Sequence, residues 1–286
     1  MGGLVINTNL SSLNSQRVLE NSNRQLGKSI NRISSGIKIE GATDGVGELA
    51  LSESLRSDIA ALKQGSRNVK NGTALLNMAE GALNEISGIL LRLRSLASQS
   101  ANGTLAETER QAVNLEFQAS LREIDRIVGT TEFNGTFLLN GTLSKTAEEH
   151  IVLQAGVDSS SRNQIDLNDL ANLNDVSTSS LNLNNSEITT QGSAFLALND
   201  LTQAIDTMLD ARGRLGTAQI RSLHAMDALN AQIENLTDAV STIRDVDLAE
   251  ELTTLTKNQL LVQAGVAMVG QANINPQAAL TLLEGV

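Results

Sequence analysis

Cysteine is absent from this 286-residue chain. That removes disulfides, thiolate metal sites and cysteine nucleophiles together. Tyrosine and tryptophan are absent as well, and four phenylalanines are the only aromatic residues. A wide core has little bulk to fill it, so the apolar volume must come from Leu, Ile, Val and Ala. That composition suits thin layers of helix on helix. A single proline, Pro276, leaves almost nothing to forbid long helices. Positive charge is in deficit. The net charge of −11 argues against a general nucleic-acid binder. Histidine occurs only at 150 and 224, and Glu148-Glu149-His150 runs into Ile-Val-Leu-Gln, without the second histidine of a zinc-protease motif. The chain is therefore read as a non-enzyme with no catalytic, metal or cofactor site. Glu123 and Asp125 are expected on a solvated face, and Asp245 or Asp247 as a helix cap.

Long hydrophobic runs are missing too. Residues 258–283 carry no charge, yet amides interrupt them, and the longest amide-free run is Ala264 to Gly270. A membrane span needs about 20 mostly apolar residues, so no membrane insertion is expected. Leu4-Val5-Ile6 is too short for the apolar core of a secretory leader.

What the sequence does hold is period. From Leu55 an apolar residue recurs every seven positions: Leu62, Val69, Leu76, Leu83, Leu90 and Ala97, joined by Ile86 and Leu93. This spacing predicts a helix over 46–100 with a coiled-coil-like seam, about 80 Å long at 1.5 Å per residue. Asn102-Gly103-Thr104 ends it, and a second helix runs to about Val128, burying Val113, Phe117, Leu121 and Ile124. Thr104 and Glu107 have capping-box spacing at its start. The heptad returns at Leu201, Met208, Leu215, Leu229, Leu236 and Ile243, with Ser222 in the vacant position. A companion register, Leu198, Ile205, Met226, Ile233 and Val240, is interrupted by Arg212 and Gln219. Polar residues inside an apolar seam set register or meet solvent. Between these helices, residues around 136–139, 151–153 and 164–167 have strand propensity, and 172–192 read as a Ser/Thr/Asn-rich loop. The fold class is mainly α: long antiparallel coiled-coil rods with a small antiparallel β element.

The two ends form a third zone. A first helix over about 5–34 spaces Leu19, Leu26, Ile30, Ile33 and Ile37 like a heptad. The last helix has Leu248, Leu252, Leu255, Val262, Val266 and Val269 on one stripe, and Leu260, Ala264, Ala267 and Ile274 on another. Apolar residues on two sides need partners on two sides. One intramolecular helix cannot supply both, so other subunits are expected to cover the second face. Ordering a residue costs about 1–2 kcal/mol of backbone entropy, so both termini are expected to fold only on assembly.

Specific stretches carry a resemblance over nearly the whole chain. VINTNLSSLNSQRVL at 5–19, INRISSGIKI at 30–39, GSRNVKNGTALLNMAEGALNEI at 65–86 and LRLRSLASQSANGT at 91–104 resemble the N-terminal half of bacterial flagellins. EIDRIVGTTEFNGTFLL at 123–139 resembles their turn into the β element. LGTAQIRSLHAMDALNAQIENLTDAVSTIRDVDLAEE at 215–251 and NQLLVQAGVAMVGQANINPQAALTLL at 258–283 resemble the C-terminal half. Three positions depart from that pattern. Only Asp44 remains of a paired-Asp stretch after the first helix. Ile220-Arg221-Ser222 stands where many relatives have Asn-Arg-Phe. Asp247-Leu248 stands for Asp-Tyr.

The resemblance implies a short flagellin with two domains. Residues 1–45 would be the N-terminal helix and hinge of the inner D0 domain. The D1 domain would hold 46–136 as long helices, 137–192 as β element and variable loop, and 193–243 as C-terminal helix. Residues 244–286 would return to D0. It implies a secreted subunit of the bacterial flagellum that forms a helical homopolymer around a channel. Leu19, Leu26, Ile30, Ile33, Leu252, Leu255, Leu260, Val262, Val266 and Val269 would build the filament core, and Gln263 and Gln271 are channel-lining candidates. Implied partners are further copies of the chain, the flagellar type III export apparatus, a secretion chaperone at the C-terminal region, the filament cap and hook-associated proteins. It also implies recognition by vertebrate Toll-like receptor 5 through Arg92, Leu96 and Glu116, with Ser95 where an acid is usual. The Ser/Thr residues of 158–193 are implied glycan carriers. The alternatives are a hook–filament junction protein and a coiled-coil type III-secreted effector or translocator.

Overall fold

The computed structural model describes residues 8–284. Helix α1 spans Leu10–Ser35, α2 Val46–Ala101, α3 Glu107–Thr130, α4 Leu167–Ala171, α5 Gln191–Arg244 and α6 Leu248–Glu284. Four short strands lie between α3 and α4: β1 Glu132–Phe133, β2 Thr136–Phe137, β3 Val152–Gln154 and β4 Gln164–Asp166. The first helix thus begins later than the apolar pattern suggests, and the expected start at residue 5 lies outside the described residues. None of the described helices is long and apolar enough to cross a membrane.

The chain divides into two compact units. One takes residues up to Ser57 together with those from Leu236 onward, and the other takes Asp58–Asn235. Helices α2 and α5 contribute to both.

In the Asp58–Asn235 unit the seven-residue seam of α2 is the core. Val69, Leu76, Leu83, Leu90 and Ala97 are fully enclosed, with Ile86 and Leu93 between them. All of these but Val69 share one core with Phe117 and Ile124 of α3 and Leu201, Met208 and Leu215 of α5. Ser222 is also enclosed, and its hydroxyl donates back to the Ala218 carbonyl at 2.9 Å, so a small polar side chain occupies the apolar register without an orphaned group. The two polar breaks in the companion register have partners on α2. Arg212 forks onto Glu80 at 2.7 and 3.0 Å, and Gln219 donates to Asn77 at 3.1 Å. Together with Ser66–Asn230 they fix α2 and α5 as antiparallel.

Turn chemistry explains the β element. β1 and β2 pair antiparallel through Asn134-Gly135, both with positive φ (52° and 82°), the requirement of a type I′ hairpin turn. β3 and β4 pair with Leu153 opposite Ile165. Leu138 and Leu139, expected in a strand, leave the ladder and are buried instead.

One capping expectation changes, and one loop gains anchors. Helix α3 is capped from Ala106, not Thr104. The Glu109 carboxylate accepts the Ala106 amide at 3.1 Å, and alanine offers no oxygen in return. The segment 172–190 forms no helix or strand, as its composition suggests, but it is packed down. Leu173, Val176, Leu181, Leu183 and Ile188 are buried, and its backbone is pinned at several points. The Asp125 carboxylate accepts the Thr178 amide and hydroxyl at 2.9 Å, Asn114 accepts the Ile188 amide at 3.0 Å, and the Gln118 amide donates to the Ser186 carbonyl. Asp125 is therefore an anchor and not a merely solvated acid. At the end of this strap Thr190 and Ser193 cap α5 reciprocally, each side chain accepting the other's amide.

Candidate functional site

In the other unit α1 packs along α6. Asn9 caps α1 by accepting the Ser12 amide at 3.0 Å, and Gly36 closes it in the left-handed conformation (φ 73°). Asp247 caps α6 by accepting the Ala249 amide at 2.8 Å. The connection after α1 is tied down. Lys38 donates its amide to the Arg244 carbonyl at 2.7 Å, Val246 to the Gly36 carbonyl at 3.1 Å, and Ile37 bridges Asp245. Lys28 reaches Asp44 at 3.1 Å, and Arg32 stands 3.8 Å from both Asp44 and Glu251. The Lys28 hydrogen bond is the main reason the Asp44 carboxyl is held below its ordinary value. Arg244 pairs with Glu53.

The α1–α6 seam alternates apolar residues with small or polar ones. On α1 Leu19, Leu26 and Ile33 are half-buried, while Ser12, Ser22 and Ser29 are buried between them. On α6 Leu255, Val262 and Val269 are half-buried, with Glu251, Asn258 and Ala272 buried. The Asn9 amide donates to the Ala272 carbonyl at 2.7 Å, and the Ser12 hydroxyl donates to Asn273 at 2.8 Å. Gly265 lets the backbones close up. A Cβ added there would stand 3.1 Å from a Leu19 methyl. Sequence reasoning missed these serines because it counted only apolar residues. The signal that marks two of them is the seven-residue spacing of Ser22 and Ser29, which half-buried Ser15 continues.

The ten core candidates therefore separate. Six lie in the seam, and Ile30, Leu252, Leu260 and Val266 are 50–60% exposed. On α6 Leu260, Gln263, Ala267, Gln271 and Ile274 follow one another at three- and four-residue steps and are all exposed. One face of α6 is covered by α1, and this one is uncovered. Complete burial of a large apolar side chain is worth about 1.5–3 kcal/mol, so the uncovered face represents a sizeable unspent driving force for association.

The three receptor candidates lie in the Asp58–Asn235 unit. Arg92 on α2 forks onto Glu116 on α3 at 2.6 and 2.9 Å, both side chains about half exposed. Exposed Leu91 and Leu115 adjoin them in sequence. Leu96 is placed differently. It shares the helix side of Arg92 by spacing but is only 2% exposed, in the core beside Leu93 and Ala97.

His150 is engaged as well. Its ring nitrogen lies 2.6 Å from Asp166, whose hydrogen bond raises the imidazole above its ordinary value. Burial works to raise the Asp166 carboxyl, but His150 and the amides of Asn168 and Asp169 outweigh it and leave it lowered. His224 is exposed on α5. Among the described residues no group of three or more His, Asp or Glu is placed to hold a metal ion.

Comparison with known proteins follows the same outline. The bacterial flagellin N-terminal helical region matches residues 6–144, and the bacterial flagellin C-terminal helical region matches 198–283. A flagellin of Halalkalibacterium halodurans is 38% identical over 98% of this chain and all of its own length. A flagellar filament 33 kDa core protein of Treponema phagedenis is 37% identical, over 98% of this chain and all of its own. Among solved structures, a hook-associated protein of Vibrio parahaemolyticus, described as tentative in that role, aligns with a TM-score of 0.57 at 16% identity, over 71% of this chain and all of that one. That last likeness concerns fold alone.

Proposed function

Because the chain belongs to the bacterial flagellin family, we propose that it is a structural subunit of the flagellar filament, with α1 and α6 completing their burial against neighbouring copies outside the cell. The observation that carries this reading is the exposure of Leu252, Leu260 and Val266 on α6, apolar residues that α1 leaves uncovered. A helix with apolar residues on two sides and one intramolecular partner is half-finished as a monomer and finished in a polymer. D0 then comprises 1–45 and 244–286, and D1 comprises 46–243. Gln263 and Gln271 face the channel, where uncharged amides let unfolded chains of either charge pass. Export through the flagellar apparatus, a chaperone at the C-terminal region, and the cap and hook-associated proteins complete the set of partners. Toll-like receptor 5 is engaged through Arg92 and Glu116. Buried Leu96 acts beneath them by fixing the helix that presents Arg92.

Seeded elongation tests the assembly reading. Full-length subunit added to filament seeds is expected to elongate, and Leu260→Lys or Gln263→Lys is expected to stop or strongly slow growth by electron microscopy. Filaments of normal length from both variants would overturn it.

A further inference from the structure

A cleft of about 410 Å³ opens between the β4–α4 segment and α5. Arg162 and, from α5, Arg221 both line it. Acids outnumber bases in this chain, 32 to 21, and most of its arginines find a carboxylate or an amide oxygen. Arg162 and Arg221 make no ion pair or side-chain hydrogen bond with any described residue, although two aspartates share their cleft.

The reason is that both aspartates are already committed. Asp166 takes His150 at 2.6 Å and caps α4 by accepting the amides of Asn168 and Asp169. Asp169 takes Lys145 at 2.7 Å. Both carboxylates are thus engaged by other groups, while the exposed Arg162 and Arg221 have no partner among the described residues. Ile165 and Leu170 also line the cleft and supply apolar surface. Guanidinium forks bind carboxylates bidentately, and the volume falls within the range of small-ligand sites.

We propose that this cleft binds a small dicarboxylate, one carboxylate on Arg162 and the other on Arg221, with the hydrocarbon spacer over Ile165 and Leu170. A dianion matches the two separate cations. A monocarboxylate reaches only one of them and forgoes the second charge-assisted fork.

The test is a calorimetric titration of the full-length soluble subunit with glutarate, butyrate and inorganic phosphate, with amide shifts followed around residues 161–170. Saturable glutarate binding is expected, at least about tenfold tighter than butyrate. Arg162→Gln and Arg221→Gln should each weaken it about tenfold, with Lys at either position restoring part of the loss. Arg94→Gln, another arginine without a partner but outside the cleft, should leave it unchanged. Absence of saturation, equal affinity for butyrate, phosphate binding as tight as glutarate, or persistence in the Arg162→Gln/Arg221→Gln double variant would each reject the assignment.

Discussion

Arg92 and Glu116 meet at 2.6 Å in the open. Exposed pairs of this kind contribute about 0–1 kcal/mol, so the pair is weak as a structural device and available for recognition. The double variant Arg92→Ala with Glu116→Ala should keep its thermal midpoint within a few degrees of the parent. Soluble monomer carrying it should activate Toll-like receptor 5 less, in a cell reporter assay. Undiminished signalling rejects the receptor assignment without touching the assembly reading. Arg212 and Glu80 form the contrasting case, a less exposed pair inside the α2–α5 seam. From sequence, Arg212 and Gln219 are visible only as interruptions of a heptad. Their partners Glu80 and Asn77 lie more than a hundred residues earlier, and no local pattern joins them.

At the scale of the element, the glycines of α2 divide by what stands over them. A Cβ at Gly65 would overlap the Ala155 carbonyl, and one at Gly72 would overlap the Leu153 side chain, so the β3–β4 hairpin rests directly on the helix backbone there. Gly81 has nothing near it. Alanine is favoured over glycine in a helix interior by about 1 kcal/mol. Gly81→Ala should therefore stabilise the protein by roughly that amount in chemical denaturation. Gly65→Ala should destabilise it by about 1–3 kcal/mol, because the overlapped atom is backbone and moves only with the hairpin. Stabilisation by both substitutions would mean the hairpin does not lie on α2. The strap at 172–190 belongs to this scale as well. Its composition reads as a loop, and its packing comes from Leu and Ile residues at irregular spacing, which no periodicity analysis collects.

For the whole molecule, the two units differ in how their burial is completed. The Asp58–Asn235 unit encloses its own core of α2, α3 and α5. The α1–α6 pair has a seam half made of serine, asparagine, glutamate and alanine and leaves its outer apolar residues in water. Ordering α1 and α6 costs backbone entropy that such a seam repays poorly. Brief proteolysis of the monomer should thus trim both ends and leave a resistant core close to residues 58–235, and assembly into filaments should protect the ends. Equal resistance of the ends and the core in the monomer would sink this expectation.

The sequence by itself determined that the chain is helical, where the long helices run, and that the last helix has apolar residues on two sides. A seven-residue period is a local property, written in consecutive residues, and side-chain direction along a helix follows from it directly. The stretches that resemble flagellins were equally readable in one dimension. Only the tertiary structure decided which apolar side is covered, that Leu96 lies in the core while Arg92 and Glu116 face outward, and that serines fill the α1–α6 seam. It also decided that Arg162 and Arg221 line one cleft with two aspartates that are engaged by other groups. Each of these depends on partners from distant parts of the chain, and burial is a property of what packs against a residue, not of the residue itself.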